Sequence, residues 1–304
     1  VNTFFVEKIV RGGDELSNKI TGKTRLAALF ATPARHSVSP MIHNTAFQAL
    51  GIDAVYLAFD VGTSNLERAI ASIKDLDMLG VNLSMPNKIL AVDYMDELSE
   101  SARLIGAINT IKNDKGRLIG HNTDGIGFLK SLNDMDVTII DQKMTILGAG
   151  GAAAAIIAQA ALDGVNEIAV YNRKSSSYEK AKVKLKTIAE KTGCNISLND
   201  LADEQALAKD IEESVLLLNT TSVGMKPLEE ATPIQDFSVI RSDLAVYDAI
   251  YTPRETEFLK QARIRGAQTA NGLGMLLYQG AEAFEIWTGQ ELPIEIVKPI
   301  IENI

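Results

Sequence analysis

Cysteine is almost missing from this chain: Cys194 is the only one in 304 residues. A single thiol excludes an internal disulfide and any zinc site built on paired cysteines. It reads as a small buried apolar residue, in keeping with a reducing compartment. Histidine is nearly as scarce, with His36, His43 and His121 alone. Their spacing matches no metal-ligand pattern, so no metal is expected. Positive charge is in deficit: the formal net charge is −9, and no basic stretch is dense. That argues against a nucleic-acid binder, whose affinity comes from clustered Lys and Arg. Neither a secretory core nor a lipidation motif is visible, so the expected location is the cytoplasm. Residues 144–162 carry no charge and are long enough to span a bilayer. Their first half is rich in glycine and their apolar content is mostly alanine. A soluble small-residue helix packed on a sheet is the better account, and no membrane association is expected.

What is present is a folded protein's composition, 46% apolar and 23% charged, in a chain long enough for two domains. The most informative stretch is Thr145-Ile-Leu-Gly-Ala-Gly-Gly-Ala-Ala153. An apolar strand runs into a glycine-rich turn, a small-residue helix follows to Leu162, and Gly164 closes it. A second strand, residues 167–171, ends in Asn172-Arg173. This is a βαβ unit with a dinucleotide fingerprint at its first turn. Gly148 permits the tight turn, Gly150 allows close backbone approach to a pyrophosphate, and Ala153 takes the third small position. The free amides at the helix start favour negative charge. An ordinary tight βα turn is the alternative.

Alternation of elements extends along the chain. Strands are expected at residues 25–31, 54–59 and 78–83, with helices at 41–50, 64–74 and 87–95. Pro40 stands in a favourable first-turn position and Ser39 is a plausible N-cap. A helical turn covers 99–104. Residues 107–112 and 117–120 read as a hairpin around Asn113-Asp-Lys-Gly116. A helix from about Asn122 to Leu132 bridges to the dinucleotide domain. Its later strands include 214–219 and 244–249, and a long helix opens at Asn271-Gly-Leu-Gly274 and runs through Trp287. The fold class is therefore α/β with two domains: a mostly parallel substrate domain and a Rossmann dinucleotide-binding domain. The C-terminal helices return to the first domain. The expected boundaries are 24–123 plus 275–304 for the substrate domain, 124–274 for the Rossmann domain, and 1–23 for an N-terminal extension. Residues 1–15 read either as a leader upstream of the true start or as a short terminal arm. A cleft between the domains is the expected active site.

Several residues at the expected strand ends carry chemistry. Ser37 and Ser39 precede a helix, where hydroxyls and free amides hold a carboxylate well, although helix capping alone explains Ser39. Ser84, Asn87 and Lys88 follow the third strand, at a strand-to-helix turn of the kind where α/β proteins bind ligands. A lysine there, near Asp124, can exchange a proton with an alcohol or ketone. Taken alone, Lys88 reads equally as solvated, Asp124 as a helix-start residue, and Asn109 as ambiguous.

Together these segments resemble the shikimate dehydrogenase family, especially its quinate/shikimate branch. The segments are His36-Ser-Val-Ser-Pro40 with His43-Asn44, Asn82-Leu-Ser-Met-Pro-Asn-Lys88, Gly106-Ala-Ile-Asn-Thr110 and Gly120-His-Asn-Thr-Asp-Gly125. Then come Gly148-Ala-Gly-Gly-Ala152, Asn172-Arg173, Asn219-Thr-Thr-Ser-Val-Gly-Met225 and Tyr247-Asp-Ala-Ile-Tyr251. Gly272-Leu-Gly-Met275 and Tyr278-Gln-Gly-Ala281 with Trp287-Thr-Gly289 complete the series. Ala31 departs from the family's usual Gly, and Ser84 replaces its usual Thr while keeping the hydroxyl.

The resemblance implies reversible hydride transfer between a nicotinamide and a cyclic polyhydroxy carboxylate, in the aromatic amino-acid precursor pathway. Ser37 and Ser39 would bind the substrate carboxylate with help from Tyr251. Ser84, Asn109 and Gln279 would bind ring hydroxyls, and Lys88 with Asp124 would form the catalytic pair. The cofactor would contact Gly148, Ala149, Gly150, Gly151, Ala152, Asn172, Arg173, Lys174 and Thr221, with Gly274 and Met275 against the nicotinamide. NADP-preferring relatives place Thr and Arg where Lys174 and Ser177 stand; NAD-using relatives of the quinate branch place Asp where Ser175 stands. NAD is the first expectation on the branch resemblance, and NADP the second. Two other functions fit parts of the pattern: a dehydrogenase of a modified, for example aminated, cyclic acid, and a nucleotide-sensing protein without turnover. Both Lys88 and Asp124 being present argues against the sensor. The oligomeric state is open, with a homodimer considered.

Overall fold

The computed structural model describes residues 20–303, so the leader expected within residues 1–15, and most of the extension, lie outside the described residues. The elements run β1 (Arg25–Ala31), α1 (Ser39–Leu50), β2 (Ala54–Asp60), α2 (Leu66–Asp75), β3 (Gly80–Leu83), α3 (Asn87–Leu90), β4 (Glu97–Leu98), α4 (Glu100–Ile105), β5 (Thr110–Asp114) and β6 (Arg117–His121). They continue with α5 (Asp124–Asn133), β7 (Lys143–Leu147), α6 (Gly151–Leu162), β8 (Glu167–Asn172), α7 (Tyr178–Thr192), β9 (Asn195–Asp200) and α8 (Glu204–Glu213). The last are β10 (Leu216–Asn219), β11 (Ala245–Asp248), α9 (Glu257–Ile264), β12 (Gln268–Asn271), α10 (Leu273–Thr288) and α11 (Ile294–Glu302).

The chain forms two compact units. The first takes the described residues up to Ser99, then Gly106–Thr123 and the chain from Gly280 onward; the second takes Glu100–Ile105 and Asp124–Gln279. Relative to the expected boundaries, α4 joins the second unit and the C-terminal crossing falls inside α10, after Gln279.

The first unit is built on a sheet ordered β2-β1-β3-β5-β6-β4. β1 pairs in parallel with β2 and β3, and β4 with β6, while β5 is antiparallel to β3 and β6. β1 is buried from Ala27 to Ala31, as an interior parallel strand must be. In α2, Leu66, Ile70 and Ile73 recur at helical spacing and are all buried. Trp287 of α10 closes this core by donating its indole N–H to the Ile111 carbonyl at 3.0 Å.

The second unit carries an all-parallel sheet ordered β12-β11-β10-β7-β8-β9. The order turns at β7, beside the glycine-rich turn. In α6, eight residues from Ala153 to Ala161 are buried, and all are Ala or Ile; small side chains let the helix lie close to the sheet. The uncharged stretch beginning at Met144 thus divides into strand β7 and helix α6, and among the described residues no helix is long and apolar enough to cross a membrane. Cys194 is buried, and burial pushes its thiol up to about 11. The expected helix at 87–95 resolves into a four-residue α3 and a 3-10 turn, Ala91–Tyr94.

Candidate functional site

Ser37, Ser39, Ser84, Lys88 and Asn109 fall in the first unit; Asp124, Tyr251, Gln279 and all the cofactor candidates fall in the second. The first group stands at one edge of its sheet, after β1, after β3 and before β5.

Ser39 is not the N-cap. It is the first residue of α1, Val38 occupies the cap without a side-chain bond, and Pro40 falls one position later. The Ser37 hydroxyl oxygen accepts the Ser39 N–H at 3.2 Å, so the two serines form one local turn. Burial raises the pKa of the Tyr56 phenol, and the Ser39 hydroxyl offsets part of that rise. Tyr56 donates to Asn82 Oδ1 at 2.9 Å, and Asn82 Nδ2 donates to the Asn109 carbonyl at 3.2 Å and the Thr110 hydroxyl at 3.0 Å. His43 stacks on Tyr56 with ring centroids 4.4 Å apart. Burial holds His43 down at about 3, so it stays neutral at ordinary pH and serves packing.

Lys88 lies in α3, half-buried. Its N–H reaches the Ser84 carbonyl at 3.2 Å, and its own carbonyl accepts the Ile108 N–H at 2.8 Å. Asn87, fully buried, anchors the turn by donating to the Val61 carbonyl at 2.7 Å and the Phe30 carbonyl at 3.4 Å. Asn109, one residue after Ile108, holds the Thr123 N–H with Oδ1 at 2.8 Å and donates from Nδ2 to the Thr123 hydroxyl at 2.9 Å. Lys88 and the residue preceding Asp124 are therefore both tied to the Ile108-Asn109 dipeptide. Asn82, Asn87, Tyr56 and Thr123 were missed as supports. The available signal was Asn82, a polar residue inside an otherwise apolar strand.

In the second unit Asp124 opens α5. Gly125 and Gly127 let this helix press on its neighbours: a Cβ on Gly125 would run into the Ala155 carbonyl of α6, and one on Gly127 would lie 2.5 Å from the Gln279 nitrogen. The dinucleotide turn has the expected form. Gly148 has φ +102°, and a Cβ there would lie 2.7 Å from the Thr220 hydroxyl oxygen. Gly150 caps α6 in extended conformation, and a Cβ on Gly150 or Gly151 would meet no protein atom within 4 Å. Protein packing does not demand glycine at those two positions, whereas a closely approaching phosphate at the helix start does. The residues therefore fit a dinucleotide. Asn172 ends β8, and Arg173 and Lys174 follow it, both exposed.

The Thr221 hydroxyl is turned to its own loop, donating to Asn219 Oδ1 at 2.8 Å and accepting the Val223 N–H at 3.2 Å. Asn219 in turn donates to buried Asp248 at 3.0 Å, and Asp248 accepts the Thr256 hydroxyl at 2.7 Å and the Ile250 N–H at 3.1 Å. Burial pushes the Asp248 carboxyl up to about 6 despite these donors. Tyr251, three residues on, is exposed. The Met275 N–H donates to the Tyr247 phenol at 3.2 Å, and that phenol lies 3.0 Å from the Ser131 hydroxyl. Ser131 donates its own proton to the Phe128 carbonyl at 2.6 Å, so Tyr247 must donate to Ser131. Gly274 packs against Ser131. Gln279 Nε2 donates to the Leu276 carbonyl at 2.9 Å.

Known proteins match this arrangement along almost the whole chain. Residues 29–111 match the shikimate dehydrogenase substrate binding domain, and residues 272–301 the shikimate 5'-dehydrogenase C-terminal domain. A Listeria monocytogenes protein named shikimate dehydrogenase (NADP(+)) is 48% identical over 288 residues, 95% of this chain and 99% of its own. The crystal structure of shikimate 5-dehydrogenase from Listeria monocytogenes, in complex with shikimate and NAD, superimposes with a TM-score of 0.92 at 48% identity, covering 95% of this chain and all of that one. Quinate dehydrogenase from Corynebacterium glutamicum, in complex with NAD, gives 0.83 at 26% identity, covering 92% of this chain and 99% of its own. By identity, coverage and fold, the chain belongs to the shikimate dehydrogenase family.

Proposed function

We propose that this chain interconverts shikimate and 3-dehydroshikimate with a nicotinamide dinucleotide, and acts on the quinate pair as a secondary substrate. The observation that carries the reading is the bracing of Lys88 and Thr123 by consecutive residues, Ile108 and Asn109. It ties a candidate proton donor and the residue preceding a candidate carboxylate to one short segment. In the reducing direction the Lys88 ammonium gives a proton to the ketone oxygen; in the oxidising direction the amine takes it from the hydroxyl. Asp124 holds the ammonium by charge and orients the substrate. Ser37, Ser39 and Tyr251 bind the carboxylate, and Ser84, Asn109 and Gln279 the ring hydroxyls. The dinucleotide, when bound, supplies the hydride chemistry. Gly148 to Ala152, Asn172, Arg173, Lys174 and Thr221 would hold it, with Gly274 and Met275 beside the nicotinamide.

NAD is the proposed preference, with NADP accepted. Relatives of both habits support a shallow choice, since one carries NADP(+) in its name and another was crystallised with NAD. The segment Asn82-Leu-Ser-Met-Pro-Asn-Lys88 supports the quinate side activity, and the buried free thiol suits a cytoplasmic setting. The test is absorbance at the reduced-nicotinamide band, crossing shikimate and quinate with NAD and NADP. No turnover with any of the four pairs would refute the reading.

A further inference from the structure

Strand β9 ends at Asp200, which pairs in register with Asn172 at the end of β8. Both lie at the carboxyl edge of a parallel sheet, outside which ligands of open α/β folds bind. The Leu201 N–H donates to the Asn172 carbonyl at 3.1 Å, tying the two strand ends together. Asp200 Oδ1 accepts the Ala202 N–H at 3.1 Å, which fixes the carboxylate. The other oxygen, Oδ2, lies 3.2 Å from Lys174 Nζ; the lysine side chain is 70% exposed and the aspartate 28%. The acid is anchored and the base is exposed. The Ala202 amide and the Lys174 ammonium hold the Asp200 carboxyl below the usual carboxylate range, so it is charged at neutral pH.

After β8 itself the chain offers no acid: Ser175, Ser176 and Ser177 follow Lys174. In NAD-selective dinucleotide folds an acid at this place accepts the hydroxyl of the adenosine ribose. We propose that Asp200, carried in from the neighbouring strand, is the cofactor-specificity residue of this protein, accepting the ribose 2′-hydroxyl of NAD and opposing the 2′-phosphate of NADP, with Lys174 as its switchable counter-charge. The inference rests on the nicotinamide-dependent function proposed above. Turned toward Asp200, Lys174 is neutralised and NAD is favoured. Turned away, it partners the 2′-phosphate, so NADP is accepted at a cost. An exposed pair of this kind is weak enough to exchange partners. One fixed carboxylate beside a dianion makes the ratio of the two affinities sensitive to a single charge.

The test is titration calorimetry of the full chain with NAD, NADP, AMP and 2′,5′-ADP, at low and high salt. Asp200→Asn keeps the acceptor for Ala202 and removes the charge. It should raise the NADP-to-NAD affinity ratio about tenfold, the scale of one carboxylate against a nearby dianion in water. The 2′,5′-ADP-to-AMP ratio should rise in parallel, and both gains should shrink at high salt. Adding Lys174→Ala to Asp200→Asn should erase the gain. If the unaltered protein binds both dinucleotides and Asp200→Asn leaves their ratio unchanged, the inference fails and the functional reading stands. If the unaltered protein binds neither dinucleotide, both fall.

Discussion

Asn109 accepts the backbone N–H of Thr123 through Oδ1 at 2.8 Å and returns a bond from Nδ2 to the Thr123 hydroxyl at 2.9 Å. The side-chain amide is thereby fixed in one orientation, and the backbone that enters Asp124 is fixed with it. Asn109→Ala leaves a buried N–H and hydroxyl without these partners, which costs about 1–3 kcal/mol. We expect a lower denaturation midpoint together with a drop in kcat. Loss of stability with full kcat would reduce Asn109 to a brace.

Lys88→Ala should lower kcat by about 10²–10⁴-fold, the usual contribution of a positioned acid or base, with a smaller change in shikimate binding. Asp124→Asn should lose rate while keeping the circular dichroism of the parent. Steady-state kinetics with either cofactor reads both effects; near-normal kcat in Lys88→Ala would remove it from the mechanism.

Tyr247→Phe deletes a single hydroxyl that accepts the Met275 N–H and donates to Ser131. Buried Ser131 and half-buried Met275 lose their bonds, at about 1–3 kcal/mol. The midpoint should fall, and KM for the dinucleotide should rise more than KM for shikimate. Equal change in both KM values would contradict a link between Tyr247 and the nicotinamide end.

The Ser175 and Ser177 hydroxyls lie 3.0 Å apart, so substitutions at either act in one small region. Ser175→Asp should deepen the preference for NAD by adding a ribose acceptor, and Ser177→Arg should shift it toward NADP by adding a charge-assisted phosphate partner. The readout is kcat/KM for both cofactors at fixed shikimate and ionic strength. A hundredfold preference of the parent for NADP would show that Arg173 and Lys174 already make a competent phosphate site.

Asp248 gives a stability signature in pH. Its folded pKa, about 6, stands above the ordinary 3.8 because of burial. Between those values the folded state binds more protons than the unfolded state, so stability falls as pH rises from about 4 to 6 and levels off above. Asp248→Asn should flatten this part of the profile, by about 3 kcal/mol at most. Parallel profiles for the two proteins, from urea melts across that range, would assign the slope to other groups.

The parts of the fold legible in the residues were those with strong local causes. Gly148 was readable because a positive φ at a strand-to-helix turn excludes other residues. β1 was readable to the residue because its run is apolar and bounded. Ser39 was misplaced because Pro40 suits either of the first two helical positions, and the helix begins one residue earlier than the proline implies. The Tyr56–Asn82 bond and the Lys174–Asp200 pair were hidden for a different reason. Each joins residues far apart in the chain, and only strand register brings them together.

The glycines at 125 and 127 have a practical consequence for anyone reshaping the substrate preference of this enzyme. Their positions are filled by the backbone of α6 and α10, so a randomised library spanning Asp124 and its neighbours would lose most of its members to misfolding. Useful diversity lies instead at Ser84 and Tyr251. The Ser84 hydroxyl donates to the Met85 carbonyl next to it, at 3.3 Å, and Tyr251 is 41% exposed, so new shapes there displace solvent rather than helices.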